Sequence, residues 1–149
     1  MHFAQIAHLV QSLPQSPVFS GDLLSIDACP TGPGVYILGL RLSQPIDIAR
    51  PKPVQVPAGL YAYSGTARGP GGLRSRLARH LAQDKKPRWH IDQLTTNASV
   101  DRFAWGWISG TECDMIRVLE QNAATHHALP GFGSSDCKHC TSHFLGFDY

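Results

Sequence analysis

Five residues of this chain have side chains and positions that could do chemistry: Tyr36, Tyr63, Arg76, His80 and Glu112. At 100° per residue, Leu73, Leu77 and Leu81 form one helical stripe at about 0°, 40° and 80°. Arg76 then falls near roughly 300° and His80 near roughly 340°, at the edge of that stripe and one turn apart. Such a pair is either a core-margin pair satisfied by backbone carbonyls or a cation clamp for a phosphate. In the second case His80 would carry a proton or donate to an oxyanion. Glu112 shares a helix face with Met115, Ile116 and Leu119. A carboxylate there needs a partner, because burying an unpaired charge is costly. Arg76 or another cation would make it an ion pair; a divalent cation would make it a metal ligand. Tyr36 and Tyr63 lie close to Gly34 and Gly65, and a glycine in a strand lets another group approach closely. Standing alone, the two tyrosines would read as core residues with internally bonded hydroxyls.

The charge distribution adds to this. Net charge over the 149 residues is only +2, but residues 68–88 hold seven basic side chains against one acid, Asp84. The remainder of the chain is net acidic. A basic stretch of this kind, with Arg68, Arg74, Arg79, Lys85, Lys86 and Arg88 around Arg76, suits a polyanion; a solvated helix face is the alternative.

Definite elements must position these groups. A short amphipathic helix is expected over 2–13, followed by a linker, and the domain proper over 31–149. The turn "CPTGPG" leads into a strand over 35–42 that is apolar on both faces, as a central strand is. A short second strand or edge connection is expected in the proline-containing stretch 43–59. Another strand follows over 60–66, then the glycine turn "ARGPGG" and a helix over 73–82. A short helix within 87–98, a strand over 100–108 and a helix over 112–126 complete the series, with Thr111 and Asp114 as a capping box. A closing strand is expected at 143–148. Alternation of this kind predicts a small α/β sandwich.

In order and spacing the pieces resemble the GIY-YIG nuclease family. "GVY" at 34–36 is similar to the first signature and "YSG" at 63–65 to the second. Arg76, His80 and the glutamate opening "ECDMIR" match further family positions, and "RWHID" and "GFGSSDC…SH" resemble a small branch of it. The resemblance implies a mixed sheet of about three central strands flanked by helices, and metal-dependent cleavage of phosphodiester bonds in DNA. It assigns Tyr63 as general base, Tyr36 to positioning the water, Arg76 to the scissile phosphate and His80 to proton movement or charge. Glu112 would hold a single Mg²⁺ or Mn²⁺. Thr66 departs from the family, where several relatives carry lysine; Arg68 could substitute from the turn. The family's asparagine has no clear counterpart, with Ser134, Ser135 and Asp136 as candidates.

Cys137, Cys140 and His143 have C-x2-C-x2-H spacing, compatible with structural zinc; reduced cysteines in a packed loop are the alternative. No apolar run approaches the ~18 residues that span a bilayer, and the N-terminus lacks a signal-peptide pattern, so a cytoplasmic protein is expected. Two functions compete with the nuclease: a nucleic-acid-binding domain that does not cut, and a small zinc-stabilised interaction module. About 33 residues precede the first signature, leaving little for a specificity domain, so recognition of DNA structure rather than sequence is expected.

Overall fold

The computed structural model describes residues 3–130, 132 and 141–148. Its elements run α1 (Ala4–Val10), β1 (Phe19–Gly21), a 3-10 helix (Leu23–Ala28), β2 (Gly34–Leu42), β3 (Ile46–Ile48), β4 (Val54–Val56), β5 (Gly59–Ala67), α2 (Gly72–Leu81), α3 (Asp92–Thr95), β6 (Val100–Trp107), α4 (Glu112–Asn122), β7 (Thr125–His126) and β8 (Phe144–Phe147). The class is mixed α/β, as expected, but the sheet differs. It has six strands in the order β1-β6-β2-β5-β8-β7, and each pairing is antiparallel. A mixed sheet of three strands is therefore corrected to a six-stranded antiparallel one whose centre is β6-β2-β5.

The extra strands come from segments with no strand pattern of their own. β1 lies inside the stretch read as a linker and pairs Phe19 with Gly106 and Ser20 with Trp105. β7 lies inside the expected helix 112–126: α4 stops at Asn122, Ala123 is extended, and Thr125 and His126 pair with β8. Proline-containing 43–59 forms not one strand but the β3-β4 hairpin, a separate two-stranded sheet. Two or three residues carry too little periodicity to announce themselves; a partner edge decides their conformation.

β2 is buried along nearly its whole length, and its alternation feeds two cores. Tyr36, Leu38, Leu40 and Leu42 pack with Leu73, Leu77 and Leu81 of α2 and Leu94 of α3. Val35 and Ile37 pack on the other face with Ile6 and Leu9 of α1, Ile116 and Leu119 of α4, and Trp105 and Trp107. Helices thus cover both faces, and α1 belongs to the same packed body as the sheet.

α2 starts where it does because the turn before β2 caps it. The N–H groups of Leu73 and Arg74 donate to the carbonyls of Gly32 (2.9 Å) and Pro30 (3.0 Å), satisfying donors that the helix leaves open. Gly72 has φ +55°, and a Cβ there would lie 2.1 Å from the Gly32 carbonyl oxygen. Only glycine fits that approach.

Candidate active site

Tyr36 and Tyr63 project from β2 and β5 toward α2. Register explains the glycines: Tyr36 faces Gly65 on one side and Gly106 on the other. A Cβ on Gly65 would stand 2.2 Å from the Tyr36 hydroxyl, so the phenol occupies the space a side chain would take. Gly34 serves the helix instead, since a Cβ there would sit 2.7 Å from Leu73 Cδ1.

α2 delivers His80 and Arg76 to the same place. His80 Nε2 and the Tyr36 hydroxyl are 2.7 Å apart, and both residues are buried. The Tyr63 ring meets His80 edge-on, with centroids 6.0 Å apart. Arg76 lowers the cost of charging the Tyr36 phenol and donates from Nη1 to the Thr66 carbonyl at 3.2 Å. Thr66 thus contributes its backbone oxygen as a hold on the arginine. Arg76 is thus anchored to a carbonyl at the core margin and His80 to the Tyr36 hydroxyl, and both border the tyrosines.

Glu112 opens α4. Thr111 caps the helix, accepting from the Asp114 N–H at 3.1 Å, while the Asp114 carboxylate pairs with Arg117 at 3.2 Å. The Glu112 side chain is 30% exposed, with Oε2 3.7 Å from His143 Nδ1. The basic side chain near its carboxylate among the described residues is therefore His143 rather than Arg76. Ser64, between Tyr63 and Gly65, ties the pieces together: its N–H donates to the His143 carbonyl (2.9 Å) and its hydroxyl to the Glu112 carbonyl (3.1 Å). The Glu112 charge acts on both tyrosines.

Electrostatics distinguish the two phenols. Burial, the neighbouring Tyr63 and Glu112 push Tyr36 far up, against the pull of Arg76. Burial first, then Glu112, pushes Tyr63 up to about 12. Tyr36 is sealed, whereas Tyr63 is partly exposed and able to meet a solvent molecule.

His80 is held neutral: burial and then the Lys85 charge push it down to about 3. Below the ordinary histidine value of about 6.5 the unfolded chain takes up a proton that the folded one refuses. Stability therefore falls as pH drops from about 6.5 toward 3, by up to about 1.4 kcal/mol per unit. Thermal melts across that range should show this slope, and His80→Gln should lose part of it. Equal slopes would assign the acid sensitivity to other groups.

The basic stretch divides in two. Arg74 is committed to the carbonyls of Cys29 (2.7 Å) and Asp27 (2.9 Å). Lys85 is only 5% exposed and donates to the Arg79 and His80 carbonyls. Arg79 pairs with Asp92 at 2.5 Å. Arg68, Lys86 and Arg88 are exposed. The helical pattern distinguishes Arg74 and Arg79 from the apolar stripe but shows neither acceptor.

Two residues that the sequence did not single out organise this region. Asp92 is fully buried and accepts from the N–H groups of Arg88 (2.7 Å) and Trp89 (2.9 Å) besides Arg79. Burial works to raise its pKa, but those N–H groups and the Arg79 guanidinium outweigh it and hold the carboxyl below its ordinary range. Trp89 packs against His80, with centroids 5.9 Å apart. The "RWHID" stretch that contains both was the available signal.

Of the zinc candidates, Cys137 and Cys140 lie outside the described residues, as do Ser134, Ser135 and Asp136. His143 is buried, with Nε2 3.5 Å from Cys113 Sγ and Nδ1 facing Glu112. Among the described residues no group of three or more His, Cys, Asp or Glu is placed to hold a metal, and no helix is long and apolar enough to cross a membrane.

Residues 35–149 match the family described as "Domain of unknown function DUF123". The chain belongs to the DUF123 family. No curated protein and no solved structure matches it. The DUF123 region begins at the residue before Tyr36 and takes in Tyr63, Arg76, His80 and Glu112.

Proposed function

We propose that this DUF123 protein is a divalent-metal-dependent endonuclease that hydrolyses phosphodiester bonds in DNA, acting on a structural feature of the substrate rather than on a sequence. The observation that carries the reading is convergence: residues drawn from β2, β5, α2 and α4 meet around one Tyr36–His80 hydrogen bond. The GIY-YIG resemblance of the same residues supports it.

Glu112 fits Mg²⁺ or Mn²⁺. It is a hard oxygen donor, partly exposed, and His143 Nδ1 beside it has no hydrogen-bond partner among the described residues. Mg²⁺ is usually held by one or two carboxylates together with substrate phosphate and water, so a single glutamate suffices. When bound, the metal would supply Lewis-acid stabilisation of charge developing on the phosphate and leaving oxygen.

The remaining chemistry belongs to the chain. Tyr63, the partly exposed phenol, is placed to orient the attacking water and to take its proton. With a pKa near 12, it needs nearby positive charge to do so at neutral pH. Arg76 supplies such charge and neutralises the phosphate. His80, neutral and bonded to Tyr36, fixes the wall of the site and the orientation of the Tyr36 hydroxyl. Arg68, Lys86 and Arg88 hold the strand through its phosphates, contacts that position a substrate without reading its bases.

The test is direct. Folded protein incubated with single-stranded, branched and duplex DNA should cut with Mg²⁺ or Mn²⁺ and should not cut in EDTA. Failure to cut any of these with either metal would overturn the reading.

A further inference from the structure

Beside the tyrosines, on the other side of Arg76, lies a separate cavity of about 220 Å³ lined by Gly69, Ser75, Arg76, Arg79, Arg88 and Trp89, among others. Three guanidiniums converge on one indole: Arg76, Arg79 and Arg88 lie 4.5, 4.7 and 5.7 Å from the Trp89 ring centroid. Like charges gathered this closely repel. The ring face offsets part of that repulsion, and Asp92, beneath, neutralises Arg79. Arg76 is held by the Thr66 carbonyl. Among the described residues no acceptor holds the Arg88 guanidinium, although its backbone N–H is pinned to Asp92. The cavity therefore carries an excess of about two positive charges on an ordered frame. The first N–H groups of α2 do not contribute, because loop carbonyls already occupy those of Leu73 and Arg74.

We infer that this cavity is a second phosphate subsite, which holds a phosphate group of the nucleic-acid strand next to the one at the Tyr36–Tyr63 site. Arg76 stands at the junction of the two, and Arg88 supplies the uncommitted fork that a phosphate accepts in bidentate fashion. The subsite rests on the reading of the substrate as nucleic acid. Its occupant is a phosphate monoester at a strand end or an internal phosphodiester.

The experiment measures binding, not cleavage. Fluorescence anisotropy would follow labelled single-stranded DNA bearing a 5′-phosphate, a 3′-phosphate or neither, across a salt series. The parent is Glu112→Gln, to suppress cutting, and Arg88→Ala is added to it. Arg88→Ala should weaken binding and flatten the slope of log K against log salt by about 0.7, the value for one phosphate contact on a single strand. Arg41→Ala is the control: it removes one exposed charge, paired with Asp101, near the far end of β2, and should leave the slope unchanged. If an end phosphate is the occupant, the parent will prefer one phosphorylated oligonucleotide and Arg88→Ala will erase that preference. If an internal phosphate is the occupant, all three will weaken equally. Equal slopes and affinities in parent and Arg88→Ala would overturn the subsite, as would a parent that binds none of the oligonucleotides at low salt. Should Arg88→Ala behave as expected while wild-type protein never cuts with Mg²⁺ or Mn²⁺, the subsite stands and the nuclease reading falls.

Discussion

Glu112→Gln should abolish cleavage while leaving the protein folded and still able to bind DNA. The substitution keeps the shape of the side chain and removes the charge that would hold the metal. Loss of about 3–4 kcal/mol of transition-state stabilisation would lower the rate by about 10²–10³-fold or more. DNA binding should survive or tighten slightly, since one negative charge leaves a phosphate-binding cleft. Stability should change by no more than about 1 kcal/mol: an acid in the first turn of a helix contributes only about 0.3–1 kcal/mol through the helix dipole. Glu112 is partly exposed and the basic side chain near it is His143, so its removal strands no buried arginine. Cleavage, gel-shift and melting measurements, the last with and without Mn²⁺, separate the outcomes. A folded mutant that cuts at the wild-type rate removes Glu112 from the site. A mutant that loses several kcal/mol of stability, with activity falling in parallel, makes the residue structural.

The largest effect on stability is expected at Asp92. Its carboxylate is fully buried and serves the Arg79 guanidinium and two backbone N–H groups, with Lys85 Nζ 4.0 Å away. Asp92→Asn keeps the shape, turns one acceptor into a donor, and leaves two cations without their counter-charge. Breaking a buried ion pair in this way costs about 3–5 kcal/mol, a large share of the ~5–15 kcal/mol that holds a domain folded. Urea unfolding measures it. A mutant within about 0.5 kcal/mol of wild type, the range of ordinary surface changes, would show that Asp92 is not the keystone of this segment. The sign of the pH dependence follows from its depressed pKa. The contribution is present above the ordinary aspartate value and is lost as pH falls through the folded one. Arg88 and Trp89 hang from the same carboxylate, so a mutant that remains folded in the cold should also bind DNA more weakly.

Local pattern in this sequence determined a good deal. The apolar run 35–42 reads as a central strand because both of its faces are apolar, and it packs on both. The stripe Leu73, Leu77 and Leu81 had to face the sheet, which set Arg76 and His80 at its edge. Thr111 had to begin a helix, which placed Glu112 in its first turn. These are short-range consequences of periodicity and capping, and they survive folding because the core rewards them. Tertiary structure decided the rest. Phe19–Gly21 and Thr125–His126 become strands only because β6 and β8 offer open edges. Gly65 and Gly106 matter only because antiparallel register sets both opposite Tyr36. Arg74, Arg79 and Lys85 read as surface charge until the loops that bring Asp27, Cys29 and Asp92 to them are in place. Glu112 and His143 meet because Ser64 hydrogen-bonds to both of their backbones. A side chain's type is written in the chain, but its partner is set by contacts between residues far apart in sequence, and no local periodicity carries that information.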